Sequence, residues 1–171
     1  MEERRLPTGA DLTELIRVLN KHHVEYAVIG GTAMMFHGFA RATKDVDLLL
    51  PLSRRNNARL RAALAELPFN KQALEQLEIA SLDKGFSTAI EGEIVIDLLF
   101  VANSFTFEDL RQYLEKKRFA HYEVTTFNIE GLIKTKETNR DSDKSDVGKL
   151  RRLRLALLDE QRHTRKRKPT K

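Results

Sequence analysis

The stretch Val28–Thr32 (VIGGT) is followed, after twelve further residues, by Asp45-Val46-Asp47. The first stretch is typical of a short apolar strand that ends in two glycines and leads into a helix. Side chains two apart on a strand point to the same face, so Asp45 and Asp47 present two carboxylates about 6–7 Å apart. Val46 and Leu48 point the opposite way, toward the expected core. The pattern predicts a strand–turn–helix–strand unit with one acidic face.

The paired carboxylates indicate a metal site, because like charges held this close repel unless a cation lies between them. Oxygen ligands suit Mg²⁺, with Mn²⁺ as the alternative ion. Asp97 is the one acid within the apolar strand predicted over Ile94–Val101, and a buried carboxylate needs a partner or a metal. If that strand pairs beside Asp45–Leu50, Asp97 reaches the same ions. Three acids placed in this way would permit two-metal phosphoryl transfer.

The residues Gly30, Gly31 and Thr32 predict a phosphate-binding turn. Glycines let backbone approach a ligand closely, and a helix start offers free N–H groups and the positive end of the dipole. Thr32 adds a hydroxyl donor. Taken singly, Asp-x-Asp and Gly-Gly-Thr are mostly ordinary turns or strand ends. It is their combination in this order that indicates a nucleoside triphosphate site.

The rest of the chain alternates between helical and strand patterns, which favours an α+β fold: a small mixed sheet flanked by helices, with further helices at the C-terminal end. The glycine patterns of Rossmann folds and P-loops are absent from the sequence. The predicted helices cover Asp11–His22, Thr32–His37, Arg54–Leu67 after the cap Ser53, Phe107–Lys117, Ile129–Thr138 after the cap Asn128, and Asp143–Arg162. The predicted strands cover Tyr26–Ile29, Asp45–Leu50, Ile94–Val101 and Ala120–Thr126, and Asn70–Leu82 is compatible with a helix or with a loop and a short strand.

The length of 171 residues suits one domain, which we place at residues 1–161, followed by a basic tail at 162–171 that we expect to be disordered. The formal net charge is +5, but Arg162–Lys171 contains six Lys or Arg and no acid. The basic character therefore belongs to the tail, which is either a solvated end or an arm that contacts phosphates.

Several classes of protein are disfavoured by composition. The chain has no cysteine, which excludes disulfide frameworks, thiolate zinc sites and cysteine nucleophiles. The charged start, Met1–Arg5, predicts no secretory signal, and no apolar run reaches the ~20 residues of a membrane span. We expect a cytoplasmic protein without a membrane partner.

The motif of a glycine pair followed by Asp-Val-Asp and a later strand aspartate resembles the nucleotidyltransferase superfamily of DNA polymerase β. The run Arg41–Asp47 (RATKDVD) resembles the R-x-T-x-D-[IV]-D segment of small proteins around the AbiEii toxins and the minimal nucleotidyltransferase antitoxins. Leu132–Lys136 (LIKTK), followed by Arg140, Asp143 and Asp146, resembles a second segment of that group. The likeness spans roughly residues 24–153. It departs from the superfamily in having Thr32 where a serine is usual and no separate substrate domain after the core.

The resemblance implies a polymerase β-like core in which Asp45 and Asp47 hold Mg²⁺ and bridge it to the triphosphate. Asp97 would hold a second ion and help to deprotonate the attacking hydroxyl. Gly30, Gly31 and Thr32 would bind the β- and γ-phosphates.

Lys136 and Arg140 would neutralise phosphate charge, with Lys134 as a weaker candidate, although all three are equally compatible with a solvated helix face. Asp143 and Asp146, three apart on a helix, share a face. They either orient Lys136 or Arg140, or act as helix N-terminal acids that complement the dipole, and the second interpretation is the more common one.

The predicted function is transfer of a nucleoside monophosphate from an NTP to a hydroxyl, with release of pyrophosphate. The acceptor is an RNA 3′ end such as that of tRNA, a side chain of a partner protein, or a small alcohol. The alternatives are a non-catalytic antitoxin that binds a toxin, and a nucleic-acid-binding module with the basic tail as its arm. The three clustered acids argue against a decayed enzyme.

Overall fold

A computed structural model of the protein describes residues 4–68, 71–75 and 77–166. Short strands build a central sheet, and one small hairpin stands apart from it. The strands are β1 (Ala27–Val28), β2 (Asp45–Leu49), β3 (Thr88–Glu91), β4 (Val95–Leu99), β5 (Val101–Ala102), β6 (Phe105–Thr106), β7 (Leu114–Phe119) and β8 (Tyr122–Phe127). The central sheet has six of them in the order β3-β4-β2-β1-β8-β7, and β5 and β6 form the hairpin.

Helices cover both faces of the sheet. They are α1 (Gly9–Lys21), α2 (Gly30–Phe36), α3 (Arg54–Leu64), α4 (Lys71–Glu75), α5 (Ile79–Asp83), α6 (Phe107–Leu110), α7 (Ile129–Lys136) and α8 (Asp141–Lys166), with one 3₁₀ turn at Arg111–Tyr113. Thr8 begins α1 with a capping box that includes Asp11. Ser53 and Asn128 accept backbone N–H groups at the starts of α3 and α7, as predicted from sequence.

The sheet is mixed. β2 and β4 run parallel, as do β1 and β8, whereas the other three neighbouring pairs are antiparallel. The expected α+β fold, a mixed sheet flanked by helices with helices at the C-terminal end, is confirmed.

Alternation along β2 divides its side chains between two cores. Val46 and Leu48 are buried against α1 and α3 on one face of the sheet. Leu49 is buried on the other face with residues of α2, α7 and α8. Asp45 and Asp47 share this second face with Leu49, so the two acids lie where its apolar core gives way to a cavity.

The predicted helix Phe107–Lys117 is wrong at its C-terminal end. Phe107–Leu110 is helical, but Leu114–Phe119 is strand β7 and pairs with β8 over six residues. Its Glu, Lys and Arg residues favour a helix locally, but tertiary pairing overrides that preference. Ala120, with φ of +50°, lies in the tight turn of this hairpin, and charged side chains are typical of an edge strand such as β7.

Other boundaries differ by smaller amounts. Helix α2 starts at Gly30 rather than Thr32, and the uncertain stretch Asn70–Leu82 contains α4 and the start of α5, with Asn70 and Gln76 outside the described residues. Strand β3 was not predicted. Helix α8 continues to Lys166, inside the range predicted as tail; residues 167–171 lie outside the described part, and the disordered tail stays a prediction. Among the described helices, none is both long and apolar enough to cross a membrane.

Candidate active site

Three carboxylates meet on one face of the sheet because β2 and β4 are parallel neighbours. Their register places Asp47 directly beside Asp97, and Asp45 lies two residues before Asp47 on the same face. One carboxylate oxygen from each of the three lies within 4.8 Å of the other two. All three side chains are half-buried. These residues, called the acidic cluster below, are thus arranged like the ligands of a hard divalent cation.

The glycine turn lies against the acidic cluster. Gly30 begins α2 with φ of +65°, a conformation that residues with a side chain adopt only with strain. A Cβ atom at this position would overlap Oδ2 of Asp47 and lie 2.7 Å from its Cγ. The backbone N–H of Ile29 donates to the carbonyl of Asp47 at 3.0 Å, which joins the turn to β2. Position 30 therefore needs glycine for two reasons: its backbone has a positive φ, and the carboxylate of Asp47 occupies the space of a side chain.

Replacing Gly30 by alanine tests this contact, and Gly38→Ala is its matched control. Gly38 has φ of +88° and no other atoms within 4 Å of an added Cβ, so it shares the backbone strain, about 1–2 kcal/mol, without the collision. We expect both variants to lose similar backbone stability in thermal unfolding, with an additional loss for Gly30→Ala. Only Gly30→Ala should lose Mn²⁺ affinity in a calorimetric titration. Equal Mn²⁺ affinity in the two variants would show that the close contact between Gly30 and Asp47 does not affect the metal site.

Burial and the charges of neighbouring acids raise the pKa of two residues of the acidic cluster, Asp47 and Asp97. Burial first, then the charges of Asp45 and Asp97, raise the pKa of Asp47 to about 6, against the opposing effect of Lys136 and Arg140. Burial also raises the pKa of Asp97, and the charge of Asp45 adds to the effect. A divalent cation would relieve this repulsion, so the donor set fits such an ion.

The acidic cluster opens into a cavity of about 390 Å³. Its walls come from the glycine turn, the ends of β2 and β4, the β5–β6 hairpin and the connection from α7 to α8. The lining residues are Ile29, Gly30, Gly31, Arg41, Asp45, Asp47, Asp97, Leu99, Val101, Ala102, Asn103, Thr135, Lys136, Thr138, Arg140, Ser142 and Asp143. A polar cavity of this size, acidic on one side and basic on the other, can accommodate a nucleotide phosphate chain with its counterions.

The basic side of the cavity contains both predicted cations. Lys136, at the end of α7, is nearly fully buried, with its Nζ 2.8 Å from Asp146 and 3.7 Å from Asp143. Arg140 is exposed, and its Nε lies 3.4 Å from Asp143. These contacts favour the interpretation in which Asp143 and Asp146 orient Lys136 and Arg140 over the one in which the two acids only complement the helix dipole.

Two other predicted phosphate-site residues lie elsewhere. Thr32 is buried, with 2% of its surface exposed, and lines a separate cavity of about 110 Å³ beside α1 and Arg41. The ammonium group of Lys134 lies 5.3 Å from the ring centre of Phe105 and 5.7 Å from that of Tyr113. Of the predicted phosphate-binding residues, the structure thus brings Gly30, Gly31, Lys136 and Arg140 to the cavity. Thr32 does not line this cavity.

Arg41 is a cavity residue that the sequence interpretation did not assign. Its guanidinium pairs with Asp146, a residue 105 positions later whose side chain is fully buried. Arg41 belongs to the motif Arg41–Asp47, so the signal was present, but its role could not be inferred without knowing that α8 passes beside it. Asn103 also lines the cavity and was not assigned from sequence, where it belongs to neither motif. Its side-chain amide donates to the carbonyl of Lys134 at 2.8 Å.

A search of solved structures found a crystal structure of an antigenic nucleotidyltransferase-like protein from Paracoccidioides brasiliensis. The two chains share 16% sequence identity and a TM-score of 0.49, over 83% of this chain and 74% of the other. No curated protein matches the sequence.

A protein-family model described as "Nucleotidyltransferase of unknown function (DUF6036)" matches residues 10–116. This range covers more than half of the chain and contains the glycine turn and the whole acidic cluster. The resemblance to nucleotidyltransferases is thus confirmed at the level of the family, whereas Lys136 and Arg140 lie beyond the matched range. The chain belongs to this family of nucleotidyltransferases of unknown function.

Proposed function

We propose that the protein is a metal-dependent nucleotidyltransferase that transfers a nucleoside monophosphate from an NTP to a hydroxyl acceptor. The observation that carries the proposal is the convergence of Asp45, Asp47 and Asp97, with oxygens within 4.8 Å of one another, beside a glycine turn. Family membership supports the same class of reaction. The placement within the small AbiEii-like and minimal nucleotidyltransferase group rests on the sequence motifs.

The residues of the site have separate roles in the proposed reaction. Asp45 and Asp47 would hold Mg²⁺, or Mn²⁺ in its place, and Asp97 would hold a second ion. When bound, the ions would offset charge on the attacking and leaving oxygens. The turn at Gly30 and Gly31 would offer backbone N–H groups to the phosphates.

The reaction is an in-line displacement at the α-phosphorus. The acceptor oxygen forms a new P–O bond, the bond from the α-phosphorus to the bridging oxygen breaks, and pyrophosphate leaves with the electron pair. The hydroxyl proton would pass to the carboxylate of Asp97, which lies beside Asp47 in the sheet. Lys136 and Arg140 would offset the charge of the departing pyrophosphate.

Pyrophosphate release is the direct test. The protein would be incubated with ATP, CTP, GTP or UTP and Mg²⁺ or Mn²⁺, with total tRNA, the protein itself or a small polyol as acceptor. We expect release with at least one nucleotide, together with transfer of an α-phosphate label to one acceptor. Absence of both with every nucleotide, alongside tight binding to a partner protein, would favour the non-catalytic antitoxin instead.

A further inference from the structure

The fully buried carboxylate of Asp146 joins two cations from distant parts of the chain. It lies in the second turn of α8 and accepts a hydrogen bond from Nζ of Lys136 at 2.8 Å. Its other oxygen accepts from the guanidinium of Arg41, which precedes β2. A buried carboxylate needs such partners, because an unpaired charge in the interior is strongly unfavourable. The three residues form one hydrogen-bonded unit.

The unit carries a net positive charge toward the cavity. Two cations share a single carboxylate at Asp146, and both cations line the cavity while Asp146 itself is enclosed behind them. Asp143 lies 3.7 Å from Nζ of Lys136, but it also accepts from the hydroxyl of Thr138 and lies 3.4 Å from Arg140. On this side of the cavity the cations Arg41, Lys136 and Arg140 outnumber the carboxylates Asp143 and Asp146 by one charge, which favours an entering anion.

Arg41 also reaches the glycine turn. A Cβ atom added at Gly31 would lie 3.3 Å from Nε of Arg41, so the guanidinium extends from Asp146 to the predicted phosphate cradle. About 29% of its side chain is exposed. A guanidinium has five N–H donors in a fixed planar arrangement, and the contact with Asp146 is made through Nη1. Within the part of the chain that the structure describes, the other donors of this guanidinium make no hydrogen bond, so they can serve the planar, multidentate recognition of phosphate oxygens.

We propose that Arg41 binds the triphosphate of the substrate, and that Asp146 is the positioning residue that fixes Arg41 and Lys136 at the glycine turn. The inference rests on the proposed function, since it takes the cavity as the triphosphate site. It adds a phosphate-binding residue from the segment before β2 and a role for a buried residue of α8.

Binding of tripolyphosphate, measured by calorimetry in the presence of Mn²⁺, tests the proposal without requiring turnover. Arg41→Ala should weaken tripolyphosphate binding by about 10- to 100-fold, the effect of losing charge-assisted hydrogen bonds. Arg41→Lys, which keeps the charge but loses the planar donors, should recover only part of this affinity. Mn²⁺ affinity in the absence of tripolyphosphate should change less than twofold in both variants.

Asp146→Asn keeps the size of the side chain and removes its charge. We expect weaker tripolyphosphate binding than in the wild type, and little further loss when Arg41→Ala is added, because both changes affect one unit. A purely structural Asp146 would instead lower the unfolding temperature and leave the affinity of the folded protein unchanged. Should Asp146→Asn fail to fold, the Arg41 variants still decide the proposal.

The outcomes separate this inference from the proposed function. If the wild type binds tripolyphosphate and releases pyrophosphate while Arg41→Ala binds as tightly as the wild type, the inference is overturned and the nucleotidyltransferase stands. If the wild type binds neither tripolyphosphate nor any NTP, both fail.

Discussion

Replacing Asp47 by asparagine should reduce pyrophosphate release by at least about 1,000-fold while the protein remains folded, a loss of transition-state stabilisation of about 4 kcal/mol. Asp47 lies at the centre of the acidic cluster, beside Asp97 in the sheet register and against the turn at Gly30. Asparagine fills the same volume but provides a neutral oxygen, so a bound cation would lose a charged ligand. The rate would be measured at saturating Mg²⁺ and NTP and compared with circular dichroism of the same sample.

Asp159→Asn is the matched control for this loss. It makes the same chemical change at an exposed position of α8, where the carboxylate lies 4.0 Å from Arg162. The control should retain the wild-type rate within about twofold, since surface substitutions of this kind have small effects. Full activity in Asp47→Asn would show that the acidic cluster does not carry the chemistry.

Asp47→Asn should also stabilise the metal-free protein at neutral pH. Burial and the neighbouring acids raise the pKa of Asp47 from 3.8 to about 6 in the folded protein, so ionising it disfavours folding. The raised folded pKa means that the contribution of Asp47 to stability is greatest below about pH 4 and is lost as the pH rises to 6. Above that, removal of the charge should increase the free energy of unfolding by up to about 3 kcal/mol.

Chemical denaturation in EDTA from pH 4 to pH 8 measures this effect. The difference in unfolding free energy between Asp47→Asn and the wild type should grow from pH 4 to pH 6 and then stay constant. Titrating groups distant from the acidic cluster, such as Asp11 beside Arg5, cancel in this difference because both proteins contain them. With Mg²⁺ present the advantage of Asp47→Asn should shrink, because binding stabilises the protein with an intact acidic cluster more strongly. A difference that does not change with pH would contradict the assigned electrostatics.

Local pattern was sufficient to predict much of the fold and the centre of the site. The period-2 alternation of Asp45-Val46-Asp47-Leu48 determines which side chains enter the core, and β4 shows the same alternation around Asp97. For Asp45, Asp47 and Asp97 to cluster, β2 and β4 only had to be neighbours, which is common for strands of one small sheet. The caps Ser53 and Asn128 mark helix starts by a mechanism that acts within four residues.

Features that depend on distant contacts could not be read from the sequence. Strand β7 has the composition of a helix and becomes a strand only because β8 pairs with it. Arg41 and Asp146 are 105 positions apart and meet because α8 passes beside the segment before β2. Thr32 was expected at the phosphates because it offers a hydroxyl beside the glycines and stands where the superfamily usually has a serine. Helix α2 starts at Gly30, however, and the side chain of Thr32 is buried beside a separate cavity.

The central claim is that the three carboxylates of the acidic cluster bind divalent cations, and electron paramagnetic resonance of Mn²⁺ tests it most directly. Free Mn²⁺ would be titrated against the wild type, the acidic-cluster variants Asp45→Asn, Asp47→Asn and Asp97→Asn, and the control Asp159→Asn. We predict at least one bound ion per chain in the wild type and the control, and weaker binding by at least about 10-fold in each acidic-cluster variant. Equal Mn²⁺ affinity in all five proteins would contradict the account.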